Sequence, residues 1–354
     1  MADSWTRRRA THPGAWWLWS LTLAAAASHT TNPLLLGLII AIAGLVVAAR
    51  RTAAPWAVGF RWYLAVAALV VVLRVTFRML TAGAGPTVLF TLPEIALPEA
   101  AAGVSLLGEV SAEALLAGFY DGLRLATMIV CVGAAAALAN PKRLLAAMPS
   151  ALYEVGTVLV VSVSVFPQLV EAVGRVRRAQ ALRRGPRTRR HRLRTVVVPV
   201  LTDALDRSLL LAASMDSRGY GRSPAGSERR RLTSACLLAG VGGVAIGAYG
   251  LLDAQSPWWL GTPVAIAGVV VGALGFRLAG ARVHRSRYRP DPWRGREWLV
   301  AGTGAVAAAA VFAASPAQLY PSANPLMWPA LPVTAALGLL VAVIPALPAG
   351  AFRW

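Results

Sequence analysis

Charge is scarce in this 354-residue sequence. Only 14% of its residues are Asp, Glu, Lys or Arg, and 57% are hydrophobic. A soluble domain carries about 25% charged residues, so the composition excludes an ordinary soluble globular chain and points to a membrane-integral one. The scarcity is one-sided, with 15 acidic residues against 35 basic ones. Lysine is nearly missing: Lys142 stands alone and the other basic residues are arginine. Two cysteines, Cys131 and Cys236, lie inside apolar runs, which excludes a disulfide framework and a cysteine metal site. The four histidines (12, 29, 191, 284) are scattered, and there is no H-E-x-x-H. G-x-x-x-x-G-K-[ST] is absent, so this chain supplies no P-loop ATPase of its own. G-x-S-x-G is absent too. The sequence argues against an enzyme and for no metal bound by the chain.

What is present is a series of long apolar runs, at about 33–49, 56–80, 113–139, 232–252, 257–280, 298–315 and 326–348. Each is long enough, or nearly so, to cross a bilayer. An earlier run, "AWWLWSLTLAAAAS", reads as a short or re-entrant first membrane helix, with a signal peptide as the alternative for residues 16–28. The expected fold is an all-α polytopic membrane protein with about seven to eight membrane helices. Arginines sort its faces. Arg50 and Arg51, Lys142 and Arg143, and the cluster from Arg277 to Arg289 mark the cytoplasmic side. The 81–112 connection, with Glu94, Glu99 and Glu109 and no basic residue, is placed outside.

The middle of the chain breaks this pattern. Sixteen arginines fall between 172 and 231, against Asp203, Asp206, Asp216 and Glu228. This divides the chain into N-terminal membrane helices (1–140), a basic cytoplasmic module (141–231), a further membrane helix (232–255) and C-terminal membrane helices of unassigned role (256–354). The module reads as two long helices. The first, about 151–185, leaves the membrane interface, bends near Pro167 and stops at "LRRGP"; Glu171 and Arg175 are spaced as a supporting pair. The second, about 195–218, pairs Asp203 with Arg207 and carries a small-residue stripe at Ala204, Ser208 and Ala212. Both end in Arg-Gly. A cation at a helix C-terminus complements the dipole and Gly accepts the left-handed cap, which accounts for one such end without a partner. Two such ends in one segment also suit two outward guanidinium anchors for acidic or carbonyl-lined grooves.

The stretches "NPLLLGLIIA", "LPEIALPEAAAGV", "YDGLRLATMIVCVGAA", "NPKRLLAAMPSALYEVG", "FPQLVEAVGRVRRAQALRRG" and above all "PVLTDALDRSLLLAASMDSRGYG" resemble the transmembrane T component of energy-coupling-factor (ECF) transporters, the CbiQ-like family. The resemblance covers about residues 30–255. It implies two coupling helices ending in Ala-Arg-Gly signatures that dock into grooves on two ATP-binding-cassette ATPase subunits, and a surface that holds a substrate-binding S component. The first signature falls on Arg183, Arg184 and Gly185, with arginine where alanine is usual. The second falls on Ser217, Arg218 and Gly219, with serine for alanine. The 204/208/212 stripe would be the crossing point of the coupling helices. ATP and Mg would belong to the partner ATPases, with no cofactor in this chain. Substrate choice would lie in the S component, which leaves vitamins, metals such as cobalt or nickel, and precursors open.

Charges inside the spans remain. Arg74 and Arg78 end one span, and Asp121 and Arg124 lie in the next. Asp121 and Arg124 are spaced to pair locally, the others to snorkel; a functional role would be contact with the S component. Two other readings stand beside the coupling scaffold. One is a self-contained membrane carrier or enzyme built on Asp121 and Arg124. The other is a membrane protein whose basic loop binds anionic lipid. Nucleic acid is excluded as a partner, since Tyr220 is the one aromatic residue between 172 and 231.

Overall fold

The structure is a computed structural model. It describes residues 11–52, 59–81, 85–91, 93, 95–96, 105–106, 108–148, 150–182, 189–220, 227–253, 256–280, 291–322 and 327–347. The described chain is dominated by helices: α1 (Pro13–Ser28), α2 (Pro33–Arg50), α3 (Phe60–Leu80), α4 (Ala112–Leu138), α5 (Pro141–Ala146), α6 (Tyr153–Leu182), α7 (Arg189–Ser217), α8 (Ser227–Leu252), α9 (Thr262–Gly280), α10 (Gly295–Phe312), α11 (Pro316–Leu319) and α12 (Val333–Val341). Between α3 and α4 lie four short strands, β1 (Val88–Thr91), β2 (Ile95–Ala96), β3 (Ser105–Leu106) and β4 (Glu109–Ser111). They form two small antiparallel ladders, β1 with β4 and β2 with β3. The all-α expectation carried no strands here, because segments of two to four residues are too short to show a period-two pattern.

Six helices are long and apolar enough to cross a membrane among the described residues: Pro33–Arg50, Phe60–Leu80, Ala112–Leu138, Val155–Leu182, Arg231–Leu252 and Thr262–Gly280. The expected number was seven to eight. The run at 16–28 gives a helix of only 16 residues. Arg296 and Glu297 at the start of α10 dilute its apolarity. Within the run at 326–348, described residues 327–332 are irregular and α12 has only nine residues. Conversely, α6 qualifies by length and composition, though its sequence read as leaving the interface; Pro167 lies inside it without ending it. Apolar side chains such as Leu73, Phe166 and Leu238 stand exposed on these helices, the pattern of surfaces that face lipid rather than water. The protein is a multi-pass membrane protein.

The chain forms two compact units, Met1–Leu144 with Pro290–Trp354, and Leu145–Arg289. Residues 256–354 therefore do not stay together: α9 belongs to the second unit, while α10–α12 belong to the first. In the first unit the core gathers around α1, with Trp19, Leu23, Leu35, Leu36, Ile39, Val130 and Val311 fully buried. The α1–α2 turn is held by C-terminal chain. Thr30 Oγ1 donates to the Leu319 carbonyl at 2.8 Å, and Asn32 Nδ2 donates to Gln318 and Ala330 carbonyls at 2.9 and 2.8 Å. At the opposite end of α1, Arg143 pairs with Asp291 at 2.5 Å, and Glu297 accepts from the backbone of His12 and Arg294. Arg50, ending α2, donates to the Pro345 and Leu347 carbonyls. Polar contacts thus lash α10–α12 to α1 and α2 at both ends.

In the second unit, α8 and α9 meet backbone to backbone. A Cβ added at Gly240 would lie 2.5 Å from Gly272 Cα, and one at Gly268 would lie 2.5 Å from the Val244 nitrogen. Gly243 and Gly247 on α8, and Gly268 and Gly272 on α9, are two G-x-x-x-G pairs, the spacing that lets membrane helices approach most closely. Cys236 lies on this seam, half-buried, and both cysteines are free thiols.

Candidate coupling site

The second unit also holds the helices α6 and α7. Their described contacts sit near the loop that joins them. Ala172 and Val200 are buried, Gln180 Nε2 donates to the Thr195 carbonyl at 2.7 Å, and Arg175 reaches Asp203 across the pair at 3.7 Å. The two helical pairs expected from spacing are present: Arg175 with Glu171 at 4.0 Å and Arg207 with Asp203 at 3.1 Å. Asp203 thus joins both helices through two guanidinium groups. These side chains are largely solvent-exposed, so each pair contributes only about 0.5 kcal/mol.

Beyond Ala204 most of α7 is exposed. Val200, Ala204, Ser208 and Ala212 form one row with a spacing of four. Val200 is buried, Ala204 half-buried, and Ser208 and Ala212 exposed. The α6–α7 contact therefore reaches only the first member of the 204/208/212 stripe. Ser208 turns its hydroxyl back onto the Leu205 carbonyl at 2.8 Å. A second feature of α7 escaped sequence reasoning: Leu201, Leu205, Leu209 and Leu210 all stand exposed. The four-residue spacing of the first three was the available signal; the surrounding arginines masked it.

The end of α7 is built as its sequence suggested. Tyr220 N–H bonds to the Met215 carbonyl at 3.1 Å and Gly219 N–H to the Asp216 carbonyl at 2.9 Å. Gly219 has φ 76°. This is a Schellman stop, with glycine in the left-handed conformation that a side chain disfavours. Ser217 Oγ is satisfied within the helix by the Ser214 carbonyl at 2.9 Å. Arg218 is then the last residue before the reversal, exposed, on the negative end of the helix dipole. The first signature, Arg183, Arg184 and Gly185, lies outside the described residues.

Replacing Gly219 tests the cap. Gly219→Val should fray the helix end, since a β-branched residue at this φ costs on the order of 1–2 kcal/mol. Tryptic cleavage after Arg218 should speed up severalfold, with Gly219→Asn milder because Asn tolerates this conformation. Equal cleavage rates for the three proteins would show that the cap does not hold Arg218 in place.

Asp121 and Arg124 do not pair. Arg124, half-buried, donates to the Ser28 carbonyl at the end of α1, while Asp121 is exposed on α4 and makes no ion pair among the described residues. A spacing of three permits the pair, but the unsatisfied carbonyl at the α1 terminus wins the guanidinium. Among the described residues no group of three or more His, Cys, Asp or Glu side chains could hold a metal ion.

These features, a multi-pass helical chain with an arginine–glycine stop on a long basic helix, coincide with a family match. The family model for CbiQ, cobalt transport protein, covers residues 3–228. The chain belongs to this family. As a CbiQ-family protein it is a membrane transport component of the cobalt and ECF type. The match contains α1–α7 and stops at the first residues of α8, so the glycine-packed α8–α9 hairpin and the docked α10–α12 lie beyond it. No curated protein matches the chain significantly.

Proposed function

We propose that this CbiQ-family chain is the coupling scaffold of an ECF-type importer in the cell membrane, with its basic module on the cytoplasmic side. Two ABC ATPase subunits, holding ATP and Mg, would seat on the ends of α6 and α7. Arg218, with Ser217 and Gly219, is the anchor at the second end; Arg183, Arg184 and Gly185 supply the first. A substrate-binding S component for a metal ion or a vitamin would sit against the membrane helices, with Asp121 and Arg124 near its contact. Closure of the ATPases would displace the two helix ends. The α6–α7 pair would carry that movement through the Arg175–Asp203–Arg207 link, and the stripe at 204, 208 and 212 would serve as the surface on which α7 slides or crosses. Exposed Leu201, Leu205 and Leu209 give this helix an apolar face for a partner.

The observation that carries this reading is the family membership combined with an exposed arginine at a hydrogen-bonded helix stop. A guanidinium presented this way loses little freedom on docking and forks into carbonyl or carboxylate groups. The test is capture of co-expressed, tagged ATPase subunits by the full-length chain in detergent. Arg218→Glu should lower capture by about tenfold or more, the range of an interface anchor. Arg231→Glu, at an exposed basic position on α8, should leave it unchanged. Equal losses in both variants would reduce the arginines to a general basic surface.

A further inference from the structure

α3 and α4 pack along a glycine seam, and the seam carries charge. A Cβ at Gly118 would lie 3.0 Å from Arg78 Cβ, and one at Gly122 would lie 3.2 Å from Arg74 Cβ. The stems of both arginines therefore lie on α4 beside Asp121. All three side chains are exposed, and none of them makes an ion pair among the described residues.

Depth makes this arrangement unusual. α3 has 21 residues, about 31 Å of helix, which matches a hydrocarbon core of about 30 Å. Arg74 precedes the end of α3 by six residues, about 9 Å. The seam puts Asp121 at the level between Arg78 and Arg74. Long arginines snorkel from such a depth. Aspartate has one methylene and cannot follow them. A lipid phosphate would satisfy the arginines and repel Asp121. A protein partner can supply both signs at one depth.

We infer that Arg74, Arg78 and Asp121 form a polar docking patch, within the membrane, for a transmembrane helix of the S component. That helix presents a carboxylate to Arg74 and Arg78 and a hydrogen-bond donor to Asp121. This inference rests on the coupling-scaffold reading. It keeps Asp121 and replaces Arg124 by Arg74 and Arg78 on the α3–α4 seam, since Arg124 is engaged by Ser28. The flanks suit a helix partner: Leu73, Phe77 and Phe119 are exposed apolar side chains around the patch.

The experiment purifies the full-length chain co-expressed with tagged ATPase subunits and a separately tagged S component, and measures both capture ratios. Arg74→Leu with Asp121→Leu removes the deeper cation and the carboxylate from the patch and leaves Arg78, a change that a lipid-facing surface tolerates. S-component capture should fall about tenfold, with ATPase capture unchanged. Asp121→Asn, isosteric, should give part of that loss and guards against a folding defect in the double variant. The purified chains are also placed in phosphatidylcholine vesicles containing phosphatidylglycerol, and retained phosphatidylglycerol is measured by mass spectrometry. Unchanged S-component capture with less retained phosphatidylglycerol would make the patch a lipid headgroup site and overturn the inference. Unchanged values for both would mean the charges only snorkel, which also overturns it. Were the wild-type chain to capture neither partner, the coupling reading itself would fall, and this inference with it.

Discussion

Gly268→Leu is expected to break the α8–α9 hairpin. A Cβ at this position would meet the Val244 nitrogen at 2.5 Å, the Gly243 carbonyl carbon at 2.7 Å and the Gly240 oxygen at 2.9 Å. All three are backbone atoms of a regular helix, so no rotamer change relieves the clash. The helices must separate instead. Lipid offers no hydrophobic force to hold them together; close packing is the main attraction, and separation removes it along the whole seam. Overpacking a core costs about 1–3 kcal/mol even where side chains can yield, and here the loss should exceed that. The readout is a disulfide. A Cβ at Gly275 lies 3.0 Å from Cys236 Cβ, so Gly275→Cys should oxidise with the native thiol after a shift of about 0.8 Å towards the usual spacing of about 3.8 Å. Adding Gly268→Leu should abolish that cross-link. A cross-link of equal yield in both proteins would mean that α8 and α9 do not meet along these glycines.

Asn32→Asp is expected to detach the C-terminal chain from the α1–α2 turn. Asn32 is fully buried and uses its whole amide: Nδ2 donates to two carbonyls, of Gln318 and Ala330, and Oδ1 accepts from the Leu34 N–H at 3.0 Å. A carboxylate keeps the last bond, the N-cap of α2, and turns a second oxygen towards two carbonyl oxygens. Two partly buried acceptors then lose their donor and face a negative charge. Each orphaned group costs about 1–3 kcal/mol, so a total on the order of 3 kcal/mol or more is expected. Thermal unfolding in detergent should show a clear fall in Tm. Asn32→Ser, which keeps a cap oxygen but no second donor, should fall between. An unchanged Tm for Asn32→Asp would show that Gln318 and Ala330 are not docked on this turn. The result matters for the transporter, because these residues lie outside the CbiQ match and yet complete the N-terminal membrane unit.

Helices, spans and the stop that ends α7 were legible because each leaves a local signature. Apolar runs of about 20 residues announce spans. Glu171 with Arg175, and Asp203 with Arg207, announce helix by spacing alone, and both pairs form. Arg218–Gly219 announces a helix stop, because only a few residues accept a positive φ. The small-residue stripe was legible as a stripe, but its partner was not. Ala204 reaches the α6–α7 contact while Ser208 and Ala212 stand free. The G-x-x-x-G pairs on α8 and α9 were in plain view, and only their apposition revealed what they do.

What the sequence by itself determined is the set of helices, their apolar length, the basic middle and the arginine that closes α7. These follow from backbone sterics, hydropathy and capping, which act over a few residues. The tertiary structure alone decided which elements share a body. It joined α10–α12 to α1 and α2 and gave α9 to α8. It sent Arg124 to the Ser28 carbonyl and left Asp121 beside Arg74 and Arg78 with no ion pair among the described residues. The physical reason is that a charge or a glycine on a helix has several neighbours of suitable spacing, and competition among them is settled only when distant backbone arrives to bid for the same group.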